Sequence, residues 1–131
     1  DFTNDDHGNS CGSATSVNRN SILGELSIYG DRDFFRIELT SSDQLRVTTA
    51  SNMNTRGKLR DANCFEIASN SSSGSGLNFL IDRQLDPGIY YVEVYNSRIS
   101  DKGAYEFIVE SPTQFPDSKN HKLYLPSLQK P

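Results

Sequence analysis

Oxygen donors suited to a hard cation gather in two places along this chain. Asp5, Asp6 and Asn9 lie in a polar N-terminal stretch, and Asp31 and Asp33 flank Arg32 in the turn Gly30-Asp31-Arg32-Asp33. Calcium takes about six to eight oxygen ligands, mostly carboxylates and carbonyls presented by loops. Glu25, just ahead of the turn, could add a further carboxylate. Aspartate and asparagine are also ordinary turn residues. On that plainer reading Asp31 caps its turn and Asp33 pairs with Arg32 or Arg36. Neither an EF-hand loop nor an RTX-type repeat occurs, so a calcium site here would be particular to this chain.

The cysteines are Cys11 and Cys64, too far apart for a CxxC redox pair and too few for a zinc site. A disulfide between them is the favoured pairing, because Cys11 sits in a Gly- and Ser-rich segment where a buried free thiol would not be expected. Such a bond implies an oxidising compartment; two buried free thiols are the alternative. Nucleophilic catalysis needs a base beside a nucleophile. The only histidines are His7 and His121, one in each polar terminal region, and both read as surface residues. His7 and Cys11 are four residues apart, but no helical pattern fixes them as a pair. Gly74-Ser75-Gly76 reads as loop rather than as a nucleophile elbow between strand and helix. Glu38, Glu93, Glu106 and Glu110 alternate with apolar neighbours, as solvent-facing strand residues do. The chain is therefore expected to be no enzyme.

Tyrosines offer the remaining functional surface. In Ile89–Tyr95, the densest run of β-formers, Tyr91, Glu93 and Tyr95 share one face and Tyr90, Val92 and Val94 the other. Glu93 marks its own face as outward. Tyr91 and Tyr95 then form an exposed stripe, with Tyr29 or Tyr105 nearby, suited to flat binding of a sugar or a peptide. Cross-strand packing that stiffens the sheet is the competing role.

The elements that must carry these residues are strands. Leu26 and Ile28, then Phe35, Ile37 and Leu39, then Leu45, Val47 and Thr49 recur with a period of two. Phe65 and Ile67 within Cys64–Ser69, Leu77, Phe79 and Ile81, and finally Tyr105, Phe107 and Val109 continue the pattern. Asp86-Pro87-Gly88 is a strong turn, and Asn70–Gly76 and Ser97–Lys102 read as loops. About seven or eight short strands with regular turn signals read as an all-β sandwich or barrel. Residues 1–20 form a polar arm with at most one helical turn, around Ala14–Val17; residues 21–110 form the β domain. Residues 111–131, with Pro112, Pro116, Pro126 and Pro131, form a Pro-rich extension in which Leu123–Leu125 could be a short edge strand.

Length and composition set outer bounds. The 131 residues are the size of one domain, with 34% hydrophobic residues, six Tyr and seven Phe for a thin core. A formal charge of −4 and the lack of a Lys/Arg run argue against a nucleic-acid partner. No apolar stretch approaches the roughly 20 residues of a membrane span. The start Asp-Phe-Thr-Asn-Asp-Asp has no signal-peptide character, so the chain reads as a mature fragment.

Four segments, in order, resemble the bacterial pre-peptidase C-terminal domains over roughly residues 4–110. They are Asp5–Ser10 with Ala14-Thr15; Gly24-Glu25-Leu26 with Gly30–Phe35; Lys58–Asp61 leading to Ile67–Asn70; and Leu85–Val94 with Gly103-Ala104-Tyr105. The resemblance implies a jelly-roll-like antiparallel β-sandwich and a secreted bacterial parent, often a protease, whose catalytic domain is the partner in cis. It implies no catalysis by the module itself. Related collagenase modules bind calcium and collagen. By that likeness Asp5 or Asp6, Asn9, Asp31 and Asp33 would meet at one calcium site. The exposed Tyr91 and Tyr95 stripe is the alternative functional surface, one that could take collagen or a polysaccharide. Asn54-Thr55 and Ser71–Ser73 depart from the family pattern by removing carboxylates, which confines metal chemistry to the arm and the Asp31–Asp33 turn. Cys11 and Cys64 are not part of the general pattern.

Overall fold

Alternation of apolar and polar side chains puts Phe35, Ile37 and Leu39 on one face of a strand and Phe34, Arg36 and Glu38 on the other, and the same logic repeats along the chain. The computed structural model describes residues 7–26, 31–71, 73–96 and 102–115. Asp5, Asp6, Tyr29, His121 and the expected edge strand at Leu123–Leu125 lie outside them.

Nine strands are described: β1 (Thr15–Ser16), β2 (Ser21–Leu26), β3 (Asp33–Leu39), β4 (Asp43–Ala50), β5 (Thr55–Arg60), β6 (Glu66–Ser71), β7 (Leu80–Leu85), β8 (Gly88–Asn96) and β9 (Gly103–Glu110). They form a sandwich of a five-stranded sheet, β1-β3-β8-β5-β6, and a four-stranded sheet, β2-β9-β4-β7. Every pairing is antiparallel except the short parallel one of β1 with β3. The core lies between the sheets. Phe35, Ile37, Val92, Val94 and Leu59 enter it from the first sheet, and Leu45, Val47, Phe107 and Val109 from the second. Phe35 and Phe107 stack across the two sheets with ring centroids 4.3 Å apart, an arrangement that adds to plain area burial.

The strand count exceeds the seven or eight expected because of β1 and β5. In β5 only Leu59 is an aliphatic inward residue; Thr55 and Gly57 take the other inward places. Gly57 is small because a Cβ there would lie 2.3 Å from the ring of Phe79. At the near end of this strand a buried polar network closes the loops. Thr49 Oγ1 donates to Asn78 Oδ1 at 2.8 Å, Thr49 and Thr55 hydroxyls lie 2.8 Å apart, and Phe79 N donates to Thr55 Oγ1 at 3.0 Å.

Three expectations need correction. Phe65 is 69% exposed rather than part of an inward stripe, because β6 starts only at Glu66 and Cys64 turns the chain at φ 70°. Leu77 is likewise exposed, lying in the loop before β7. No helical turn forms over Ala14–Val17; a 3-10 turn spans Cys11–Ser13, and Thr15–Ser16 instead adds to the sheet as β1. At the other end, Ser111 and Phe115 bridge each other and are buried, and Asn20 Nδ2 donates to the carbonyls of Val109 and Phe115. The first part of the Pro-rich extension is thus packed on the sandwich.

Candidate functional site

β3 begins at Asp33, whose side chain follows the inward alternation of Phe35 and Ile37 and is fully buried; Asp31, two residues earlier, is 6% exposed. Burying a carboxylate is costly unless a partner compensates it. The Tyr105 hydroxyl on β9 donates to Asp33 Oδ2. Tyr105 reaches it across the sandwich because its strand neighbour is Gly24: a Cβ there would lie 2.4 Å from the tyrosine ring.

The N-terminal arm is fastened to this same turn. Phe34 N donates to Gly8 O at 3.0 Å, and Arg32 N donates to Asn9 Oδ1 at 3.4 Å. His7, expected at the surface, is 8% exposed. Its Nε2 lies 2.9 Å from the Leu23 carbonyl and its Nδ1 2.8 Å from Thr15 Oγ1, and its ring sits 4.7 Å from that of Phe35. A carbonyl only accepts, so Nε2 carries the proton. The imidazole therefore serves as a peg that docks the arm between β1, β2 and β3.

Asn9 is thus bonded to the backbone of the turn that carries Asp31 and Asp33. Glu25 lies on the exposed face of β2, opposite Ala104. Among the described residues no group of three or more His, Cys, Asp or Glu side chains is placed to hold a metal. The described donors that suit calcium are two buried carboxylates and one side-chain amide oxygen, and Asp5 and Asp6 follow directly on the N-terminal side of His7. The donor chemistry is all oxygen, as a hard cation requires. Loops elsewhere are closed by their own bonds: Asn70 Oδ1 accepts from Ser73 N at 3.3 Å and Leu80 N at 3.0 Å.

Cys11 and Cys64 form a disulfide with Cα atoms 6.2 Å apart. It ties the arm to the loop between β5 and β6. That loop is itself stiff, since Asp61 Oδ1 accepts from Asn63 N at 2.9 Å and Phe65 N at 3.0 Å.

The tyrosine face is outward, as expected, because Val92 and Val94 are fully buried on the opposite side of β8. Tyr91 and Tyr95 are half-buried on it. Tyr105 does not join the stripe: it is 2% exposed and belongs to the other sheet. Glu93 corrects the expectation of a solvated residue. It is 2% exposed, paired with Arg32 on one oxygen and with Arg60 on the other, at 2.7 Å from Nη2 and 3.2 Å from Nε. The Arg32 guanidinium also lies 4.3 Å over the Tyr95 ring, a cation–π contact. Sequence alternation placed Glu93 on the right face, but a partner 61 residues away cannot be seen in it.

No family model and no curated protein matches the chain. Solved structures do. A pre-peptidase C-terminal domain of a collagenase from Bacillus anthracis is 19% identical and covers 79% of this chain and 100% of its own, with a TM-score of 0.64. PliG of Aeromonas hydrophila, a periplasmic inhibitor of g-type lysozyme, is 17% identical over 75% of this chain and 96% of its own, with a TM-score of 0.57. The chain has the β-sandwich fold of the pre-peptidase C-terminal domain, as the order of its four sequence segments led one to expect.

Proposed function

We propose that this chain is a non-catalytic accessory module of a secreted bacterial protein, a protease in the first instance, and that calcium braces its N-terminal arm. The observation that carries this reading is the fastening of the arm to a turn holding two buried carboxylates. Asp31, Asp33 and Asn9 would hold the cation, with Asp5 or Asp6 supplying further carboxylate oxygens. Bound calcium supplies positive charge that offsets the desolvation of Asp31 and Asp33. It would thereby stiffen the arm, the segment through which a preceding catalytic domain would connect. The disulfide supports an extracellular or periplasmic setting, since such bonds persist in oxidising compartments. Thermal melts in calcium and in chelator test the proposal. A higher midpoint and slower proteolysis of the arm in calcium are expected; superimposable melts would remove calcium from the account.

A second reading is that the module binds an extracellular polymer, collagen or a polysaccharide, through Tyr91 and Tyr95. The half-buried rings on an outward sheet face favour it. Retention on insoluble polymers, lost in Tyr91→Ala and Tyr95→Ala, is the expected result.

A further inference from the structure

The chain carries a formal charge of −4, yet the outer face of its five-stranded sheet is cationic. On β5 the outward positions are Arg56, Lys58 and Arg60, alternating with inward Thr55, Gly57 and Leu59. Arg36 projects from β3, and Arg32 from the turn before it lies over Tyr95. Among the described residues the carboxylates on this face are Glu93, buried beneath Arg32 and Arg60; Glu38, 3.5 Å from Arg36; and Glu66, 3.7 Å from Lys58. Five described cations thus face three carboxylates.

Register turns this excess into a pattern. Tyr91 on β8 is flanked by Arg36 on one neighbour strand and Arg60 on the other, and Tyr95 is directly opposite Arg56. Alternate residues along a strand stand about 7 Å apart, and strands on either side of a common neighbour about 10 Å apart. Cations and tyrosine rings therefore alternate over three adjacent strands, an extended surface that suits a polymer chain better than a small molecule. The guanidinium forks of Arg32 and Arg60 already clasp one carboxylate, that of Glu93. The side chain of Arg32 stays 43% exposed while doing so, and an arginine has more donors than one carboxylate uses.

We propose that this face binds an acidic polysaccharide whose sugars carry carboxylates, with Arg36, Arg56 and Lys58 meeting the carboxylates and Tyr91 and Tyr95 lying against the sugar rings. The proposal rests on the polymer-binding reading and names its ligand class. The test is affinity electrophoresis of the whole chain in gels containing polygalacturonate, a neutral β-glucan or no polymer, with sedimentation on fibrillar collagen and a fluorescent single-stranded oligonucleotide as further arms. The triple variant Arg36→Gln/Arg56→Gln/Lys58→Gln is compared with a charge-matched control, Arg19→Gln/Arg46→Gln/Arg83→Gln, whose residues lie away from this face. Retardation by polygalacturonate that weakens with salt, and falls about tenfold in the triple variant but not in the control, is the expected result. Equal loss in both variants would reduce the effect to net charge and overturn the proposal. Binding to the neutral glucan, collagen or the oligonucleotide in preference to polygalacturonate would also overturn it, while collagen or glucan binding would leave the broader polymer-binding reading standing. Binding to none of the four would end both.

Discussion

Replacing both cysteines, Cys11→Ser with Cys64→Ser, measures whether the arm belongs to the cooperative fold. The disulfide spans 53 residues. In the chain-entropy treatment a loop of that size stabilises the folded state by about 4 kcal/mol. Taking about 2.1 cal/mol/K per residue for the entropy of unfolding, this corresponds to a drop of roughly 15 °C in midpoint for a chain of this length. The full effect requires that the arm unfold together with the sandwich, and the structure gives it reason to. His7 is buried against Phe35, Val17 N donates to Arg36 O at 2.9 Å, and β1 pairs with β3. The assay is urea unfolding of the oxidised wild type and the double serine variant, followed by tyrosine fluorescence and far-UV circular dichroism. A loss of about 3–4 kcal/mol with a single transition is expected. A loss under about 1 kcal/mol would mean that the arm detaches before the sandwich unfolds, which refutes the coupling of arm and sandwich.

Glu93→Gln leaves two guanidinium groups without their shared carboxylate, and a loss of about 1–3 kcal/mol in urea unfolding is expected, less than for a fully dry pair because Arg32 is partly exposed. Gly24→Ala places a methyl group against the Tyr105 ring and should cost about 1–3 kcal/mol while also weakening calcium binding through Asp33, readable by calorimetry. Asp43 is buried, which acts to raise its pKa, but bonds from Ser111, the Thr113 hydroxyl and amide, and Gln44 N outweigh that and hold the carboxyl well below the usual range. A depressed folded pKa means stability that is present above the unfolded value near 4 and lost as pH falls below it. Stability measured between about pH 5 and 2 should therefore fall less steeply in Asp43→Asn than in wild type.

The legible parts of this fold were those where alternation is dense. Phe35, Ile37 and Leu39, or Val92 and Val94, announce their faces without help from the rest of the chain. β5 was hidden because its inward side consists of a threonine, a glycine and one leucine, whose fitness depends on Phe79 filling the space above Gly57. β1 is two residues long and has no periodicity to read. Asp31 and Asp33 were legible as acids in a turn; their burial was not, since it comes from the arm and from Tyr105, 72 residues further on. Burial of His7 and Glu93 was missed for the same reason. In each case a polar residue in an ordinary local setting is buried by partners that only the three-dimensional fold supplies.

Calcium titration by isothermal calorimetry, on the oxidised wild type beside Asp31→Asn and Asp33→Asn, is the decisive test of whether calcium braces the arm. Extracellular calcium modules bind with dissociation constants of about 10⁻⁴–10⁻³ M. At about 10 mM calcium this amounts to roughly 1.4–2.7 kcal/mol of added stability, or about 5–10 °C in midpoint. One binding event is expected in the wild type, lost in both variants, with a matching rise in the wild-type midpoint alone. Absence of binding heat in a wild type whose midpoint does not change with calcium would contradict it.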